Sequence, residues 1–164
     1  WKDERNYAFG YNHQFLGNGR KSNGQFHNFP VYRASIVNFT STVLGATCMG
    51  TAAGFSEKDR TRYENSGKKY SSLGNHGWTL DPPRLTTRSD IGTGDAGSPR
   101  TAVDACYNGR AIVSFLDGAV VAKYPRELGY VTDESGKFVN DGGASNRQFS
   151  GEDRDLDPPV VPGK

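Results

Sequence analysis

Residues 111–122 read Ala-Ile-Val-Ser-Phe-Leu-Asp-Gly-Ala-Val-Val-Ala, and this stretch decides the fold class. Two apolar runs, 111–116 and 119–122, flank the pair Asp117-Gly118. An Asp-Gly pair between two apolar runs is typical of a tight β-hairpin turn, because glycine adopts the backbone angles that such turns require. We therefore predict a β-hairpin here. The following Pro125 to Gly129 predicts a single turn of helix that ends at the glycine.

Two segments upstream of the hairpin predict further strands. Residues 41–47 are β-branched and apolar, which favours a buried strand. Tyr7, Phe9 and Tyr11 alternate with other residues as in a half-buried strand. Asn-Gly pairs at 18–19 and 23–24 are turn signals. With 21 glycines and 8 prolines in the chain, we expect a strand-rich α+β fold with an antiparallel β-sheet, long loops and few short helices.

Length and charge limit the classes of protein to consider. A chain of 164 residues fits one domain, and we predict a globular domain over 1–150 followed by a flexible polar tail over 151–164. The formal net charge is only +2, which argues against a nucleic-acid partner. No run approaches 18 apolar residues, so we expect no membrane span in this chain.

The sequence offers poor candidates for catalysis. Residues 94–99 are similar to the nucleophile loop of chymotrypsin-like proteases, but Ala96 stands at the nucleophile position and Ser98 is displaced by two residues. His13, His27 and His76 all lie in Gly/Asn-rich surroundings that do not resemble those of a general base. We predict that the protein is not an enzyme. Catalysis by the Asp95 and Ser98 loop is kept as the weakest alternative.

The acidic C-terminal region is the best candidate for a metal site. Carboxylates and amides are concentrated there in glycine-containing loops, and Ca²⁺ takes oxygen ligands from such loops. Asp141, Asp153 and Asp155 are the first candidates as calcium ligands. The alternative is an ordinary solvated polar segment, since no EF-hand pattern is present.

Cysteines, a sequon and a group of aromatic residues leave further alternatives open. Cys48 and Cys106 could form a disulfide or remain two buried thiols. Asn38-Phe39-Thr40 matches the N-glycosylation pattern. The aromatic residues near the N-terminus could stack on sugars or pack against a sheet; they are Trp1, Tyr7, Phe9, Tyr11, Phe15, Phe26, Phe29 and Tyr32.

The hairpin and the residues before it resemble the signature of bacterial pilin-like proteins related to the type II secretion pseudopilins, a group abundant in planctomycetes. In that group a His is followed by nine residues and then by Asp-Gly. The matching positions are Asn108, Gly109, Phe115, Asp117 and Gly118. Residues 7–17 and 32–44 are similar to two upstream segments of the family. The motif His is replaced by Tyr107.

The resemblance implies a pilin-like head domain and a structural role. Members carry a long hydrophobic helix before the head, so the resemblance implies either a head from which that helix was removed or a protein with a diverged role. Major pseudopilins also bind calcium in a C-terminal loop. We therefore expect a subunit of an extracellular or envelope-associated bacterial filament or secretion apparatus that assembles with itself or with other pilin-like subunits. The alternative is a secreted carbohydrate- or protein-binding module that uses the loops around 17–29 and 56–100.

Overall fold

The structure is a computed structural model that describes residues 9–49, 79–89, 101–140 and 142–163. Its described part contains eight strands: β1 Phe9–Tyr11, β2 Asn18–Ser22, β3 Gln25–Phe29, β4 Val43–Thr47, β5 Ala111–Phe115, β6 Val120–Lys123, β7 Val131–Thr132 and β8 Phe138–Val139. Helical structure among these residues is limited to 3₁₀ turns, at Arg33–Ser35 and Pro125–Leu128.

Four strands form the main sheet in the order β1-β4-β5-β6, and every neighbouring pair is antiparallel. The predictions of a strand-rich chain, an antiparallel sheet and few short helices are thus confirmed. The predicted hairpin is also confirmed, since Val113 lies opposite Val121 and Ser114 opposite Val120. The turn of helix at 125–128 ends at Gly129, which adopts the left-handed conformation with a φ of 90°; glycine is favoured at this position for that reason.

One face of the main sheet packs on the core. Gly10, Ala46, Val113 and Val121 are aligned across the four strands on this face. Ala46 and Val113 are fully buried, whereas Val121 on the edge strand is 40% exposed. The core that covers them comes from loops and short strands rather than from long helices. Its apolar members are Phe15, Val43, Ala46, Cys48, Leu80, Ala102, Val103, Ala111, Val113, Phe115, Leu128, Tyr130, Phe138 and Phe149.

The segment predicted to be a polar tail packs against the domain. The Val161 side chain is buried, and its N–H donates to the Arg88 carbonyl at 3.0 Å. The guanidinium of Arg20 donates to the Pro159 carbonyl. The described residues 151–163 therefore make packing contacts with the rest of the protein, and the predicted division into a domain over 1–150 and a flexible tail over 151–164 stays a prediction.

Strands β2 and β3, which follow β1 in the chain, form a separate two-stranded sheet. Its turn lies at Asn23-Gly24, where both residues have positive φ, so this turn signal is confirmed. The other signal, Asn18-Gly19, is wrong. Asn18 begins β2 and lies opposite Phe29, because the two strands need only one turn between them.

Among the described residues, no helix is long and apolar enough to cross a membrane.

Candidate functional site: an exposed face of the main sheet

The second face of the main sheet carries several exposed apolar side chains at its edges, although Gly45 and Thr47 on this face are buried. Tyr11, Gly45, Ser114 and Val120 are aligned across the four strands on this face, which we call the outer face. Phe9 lies on it as well, opposite Thr47. Its exposed or partly exposed side chains are those of Phe9, Tyr11, Ile112, Ser114, Val120 and Ala122.

The outer face is apolar where most antiparallel sheets that face water are polar. Phe9 is 58% exposed and Val120 is 63% exposed, at opposite edges of the sheet. Ser114 lies between them on β5. Its hydroxyl donates to the Gly45 carbonyl at 3.1 Å, so this polar side chain has a hydrogen-bond partner within the sheet. Tyr11 likewise directs its hydroxyl to the Leu16 carbonyl at 2.6 Å. The arrangement offers aromatic and aliphatic surface with few polar groups left to recognise a polar ligand.

The first half of the motif forms a tight turn before β5. Tyr107 and Arg110 exchange two backbone hydrogen bonds, of 3.1 and 3.0 Å. Asn108 and Gly109 between them both have positive φ, at 52° and 75°, as a type I′ turn requires. Tyr107, at the position of the motif His, is 55% exposed. The Asn-Gly pair in the sequence is typical of such a turn.

The second half of the motif forms the turn after β5. The Gly118 N–H donates to the Phe115 carbonyl at 3.0 Å, and the Ala119 N–H donates to an Asp117 carboxylate oxygen at 2.9 Å. Gly118 has a φ of 91° and Phe115 is buried in the core. The motif residues therefore place β5 and β6 in the sheet, and the structure brings them to two ends of one strand rather than to one site.

Two of the three predicted calcium ligands form ion pairs with arginines. Asp153 forms an ion pair with Arg147 at 2.9 Å, and Asp155 forms one with Arg84 at 2.9 Å. Asp141 lies outside the described residues. No group of three or more His, Cys, Asp or Glu side chains in the described part of the chain is placed to hold a metal ion. A calcium site at Asp153 and Asp155 would require both carboxylates to leave these partners, and it stays a prediction.

Hydrogen bonds lower the pKa of both carboxyl groups. Burial alone would raise the pKa of Asp155, but the Asn146 N–H and the Arg84 guanidinium outweigh it, so this pKa is lowered. For Asp153 the hydrogen bond from Arg147 is the main cause of a lowered pKa. Both side chains are partly exposed, and their ion pairs contribute little to stability on their own.

Asn146 connects three segments of the chain next to these carboxylates. Its buried side-chain amide accepts from the Arg84 N–H at 2.8 Å and donates to the Arg84 and Leu156 carbonyls at 2.8 and 2.9 Å. Its own N–H donates to Asp155 at 2.8 Å. Sequence reasoning missed this residue, because a single Asn in a polar segment gives no signal of burial.

The remaining predicted residues are dispersed. Cys48 is buried and Cys106 is half-buried, and both are present as thiols. Asn38 of the sequon is half-buried, and its side-chain oxygen accepts from the Thr40 hydroxyl at 2.8 Å. Residues 94–99, with Asp95 and Ser98, lie outside the described part, as does His76.

The aromatic group divides between core and surface. Trp1 and Tyr7 lie outside the described residues. Phe15 joins the core, whereas Phe26 and Tyr32 are exposed. Val31, next to Tyr32 in sequence, lines a cleft of about 220 Å³ whose lining also includes Glu152 and Asp157. The apolar residues of its lining are Phe15, Val31, Ile36, Leu156 and Pro159.

Comparison with known proteins adds no further constraint: no family model matches the chain, and neither a curated protein nor a solved structure is significantly similar to it.

Proposed function

We propose that the chain is a structural subunit, the pilin- or pseudopilin-like head of an extracellular or envelope-associated bacterial filament or secretion apparatus. The observation that supports this proposal is the apolar outer face of the main sheet. Contiguous exposed apolar surface on a folded domain marks a site of contact with another polypeptide or a membrane. Here the exposed or partly exposed apolar side chains on one face of the main sheet are those of Phe9, Tyr11, Ile112, Val120 and Ala122.

The dimensions of the outer face fit one helix. Adjacent strands are about 4.8 Å apart, so β1 and β6 at the two edges are about 14 Å apart. An α-helix with its side chains is about 10–12 Å wide. A single apolar helix laid along the strands would contact Phe9 and Tyr11 on one side and Val120 on the other. The resemblance to pilin-like heads implies a hydrophobic helix as the natural occupant.

The motif supports the same role. Its turns at Asn108-Gly109 and Asp117-Gly118 fix both ends of β5, and β5 carries Ile112 and Ser114 onto the outer face. A motif that specifies sheet geometry rather than a reactive group is expected where the sheet itself is the functional surface.

The proposal is tested by placing a charge on the outer face in the producing bacterium. Phe9→Glu puts a carboxylate into the proposed contact at the β1 edge, and Val37→Glu is the matched control because Val37 is 72% exposed on a loop outside the sheet. We expect Phe9→Glu to abolish incorporation of the protein into surface or envelope assemblies, measured in sheared-filament and envelope fractions, and Val37→Glu to leave it intact. Equal incorporation of both variants would refute the proposed contact face.

A second candidate is a secreted carbohydrate- or protein-binding module. It rests on two separate observations: the ring of Tyr32 is 71% accessible, and a cleft is lined by Phe15, Glu152 and Asp157. This function predicts that Tyr32→Ala abolishes binding to a glycan array or to a surface-protein ligand while Phe9→Glu has no effect. The structural-subunit proposal predicts the reverse pattern for assembly.

A further inference from the structure

The main sheet ends at β6, which has no neighbouring strand on its far side in the described part of the chain. Val120, Val121 and Ala122 are exposed, and Lys123 at the end carries the only charge of the strand. The strand has neither a proline nor a bulge. Such an edge is a template for pairing with another strand, although the short length of β6 and its Lys123 are two of the features by which sheets protect an edge.

The hydrogen-bond pattern shows which backbone groups are available. The Phe115 N–H donates to the Ala119 carbonyl at 2.9 Å, and Val113 lies opposite Val121. Because bonded and non-bonded pairs alternate along an antiparallel ladder, Val121 directs its backbone groups to β5, whereas Val120 and Ala122 direct theirs away from the sheet. These outward N–H and C=O groups have no hydrogen-bond partner among the described residues.

We propose that β6 pairs antiparallel with β6 of a second copy of this chain, about a two-fold axis at Val121. In this register Val120 of each copy exchanges two hydrogen bonds with Ala122 of the other, which gives four bonds in all. The two Val121 side chains lie directly opposite each other as a non-bonded pair. The result is a continuous eight-stranded antiparallel sheet.

The charges on β6 and its turn support antiparallel pairing with a second copy of the chain. Asp117 lies at the turn end of the hairpin and Lys123 at the other end of β6. Antiparallel pairing places each Lys123 opposite Ala119 of the other copy, two residues from its Asp117, so opposite charges meet at both ends. A parallel arrangement would place the two lysines side by side, which is unfavourable.

The residues after β6 limit the length of the pairing. The Tyr124 N–H donates to the Glu127 carboxylate at 2.7 Å, and its carbonyl accepts from the Glu127 N–H at 2.9 Å. With Tyr124 occupied, the ladder between copies ends at Lys123. The interface is therefore small, and we expect a dimer that dissociates in the micromolar range or above.

Edge pairing is independent of the proposed filament function, because it uses the backbone edge of β6 and not the outer face. The first experiment measures the mass of the full chain by sedimentation as concentration rises to about 1 mM. We expect the mass to rise from 17.9 kDa towards twice that value. Val121→Lys, which places two lysines opposite each other, should remain monomeric, whereas the control Val37→Lys should dimerise like the wild type. A wild-type chain that stays monomeric throughout, or a Val121→Lys variant that dimerises equally, overturns the proposal.

A cross-linking experiment tests the register without relying on a disruptive variant. Val121→Cys places the two new thiols across the axis as a non-bonded antiparallel pair, whose separation permits a disulfide. We expect Val121→Cys to form a covalent dimer on mild oxidation, and Val120→Cys alone to form far less because it faces Ala122. A mixture of Val120→Cys and Ala122→Cys chains should cross-link again. Equal cross-linking of the Val121→Cys and Val120→Cys variants refutes the register, and Phe9→Glu should alter none of these results.

Discussion

Replacing Asn146 by alanine should destabilise the domain more than any surface substitution, because the side-chain amide makes three buried hydrogen bonds. It contacts the backbone of Arg84 through both its oxygen and its nitrogen and the carbonyl of Leu156 through its nitrogen. Each such bond contributes about 1 kcal/mol to stability. Three lost bonds therefore lower the free energy of unfolding by about 3 kcal/mol. For a chain of this size that corresponds to a fall in melting temperature of about 6–12 °C.

Urea unfolding followed by far-UV circular dichroism measures this loss, with a thermal melt as the second readout. Asn28→Ala is the matched control, since Asn28 is exposed on β3 and should change the free energy of unfolding by less than about 0.5 kcal/mol. If Asn146→Ala and Asn28→Ala have the same midpoint, Asn146 does not connect the three segments as described, and the packing of the C-terminal region must be reconsidered.

Three further predictions concern backbone, charge and core. Gly129→Ala should lower the free energy of unfolding by more than about 2 kcal/mol, because the new Cβ would clash with a backbone oxygen. Gly118→Ala is the control: its φ is also positive but the space around it is open, so it should cost only about 1 kcal/mol. Urea titrations compare the two variants, and equal losses would contradict the clash at Gly129. The pKa of Asp155 lies below its ordinary value of 3.8, so its stabilisation is present above that pH and lost as the pH falls through the lowered pKa. Melts from about pH 6 down to about pH 2, which extends well below the ordinary carboxyl pKa of about 4, should show a shallower decline for Asp155→Asn, and parallel curves would rule its contribution out. Tyr130→Phe should cost about 1 kcal/mol, since its buried hydroxyl donates to the Asp81 carbonyl at 2.5 Å; an unchanged urea midpoint would show that this bond contributes nothing.

Local signals in the sequence predicted local structure well. Asp117-Gly118 and Asn23-Gly24 lie in turns, and the apolar runs around 111–122 form the hairpin. The reason is that these turns depend on the backbone angles of two or three adjacent residues. Asn18-Gly19 shows the limit of such signals, since its pairing with residues 28–29 overrides the local preference for a turn.

Long-range packing could not be predicted in the same way. Arg20 is buried, with its guanidinium 4.3 Å from the Phe29 ring and donating to the His13 and Gln14 carbonyls. Arginine is almost never buried, so no sequence pattern would indicate it. Asn146 and the buried Val161 are similar cases. Their environment is set by contacts between segments far apart in sequence, which composition and periodicity do not report.

The outer face lies between these two cases. Alternation around β1 and the apolar run at β5 predicted strands, but neither pattern indicates which side of the sheet the core covers. Burial of Val113 and exposure of Val120 assign the sides. The resulting apolar surface is the basis of the proposed function.

Immunoelectron microscopy of the protein in its native source tests the structural-subunit proposal most directly. Antibodies against the purified chain would be applied to intact cells, sheared surface material and the soluble fraction. The proposal predicts label distributed along filaments or envelope-associated assemblies, with the protein recovered from them by mass spectrometry. Recovery of the protein only as a soluble monomer or dimer, with all filaments and envelope assemblies unlabelled, would contradict it.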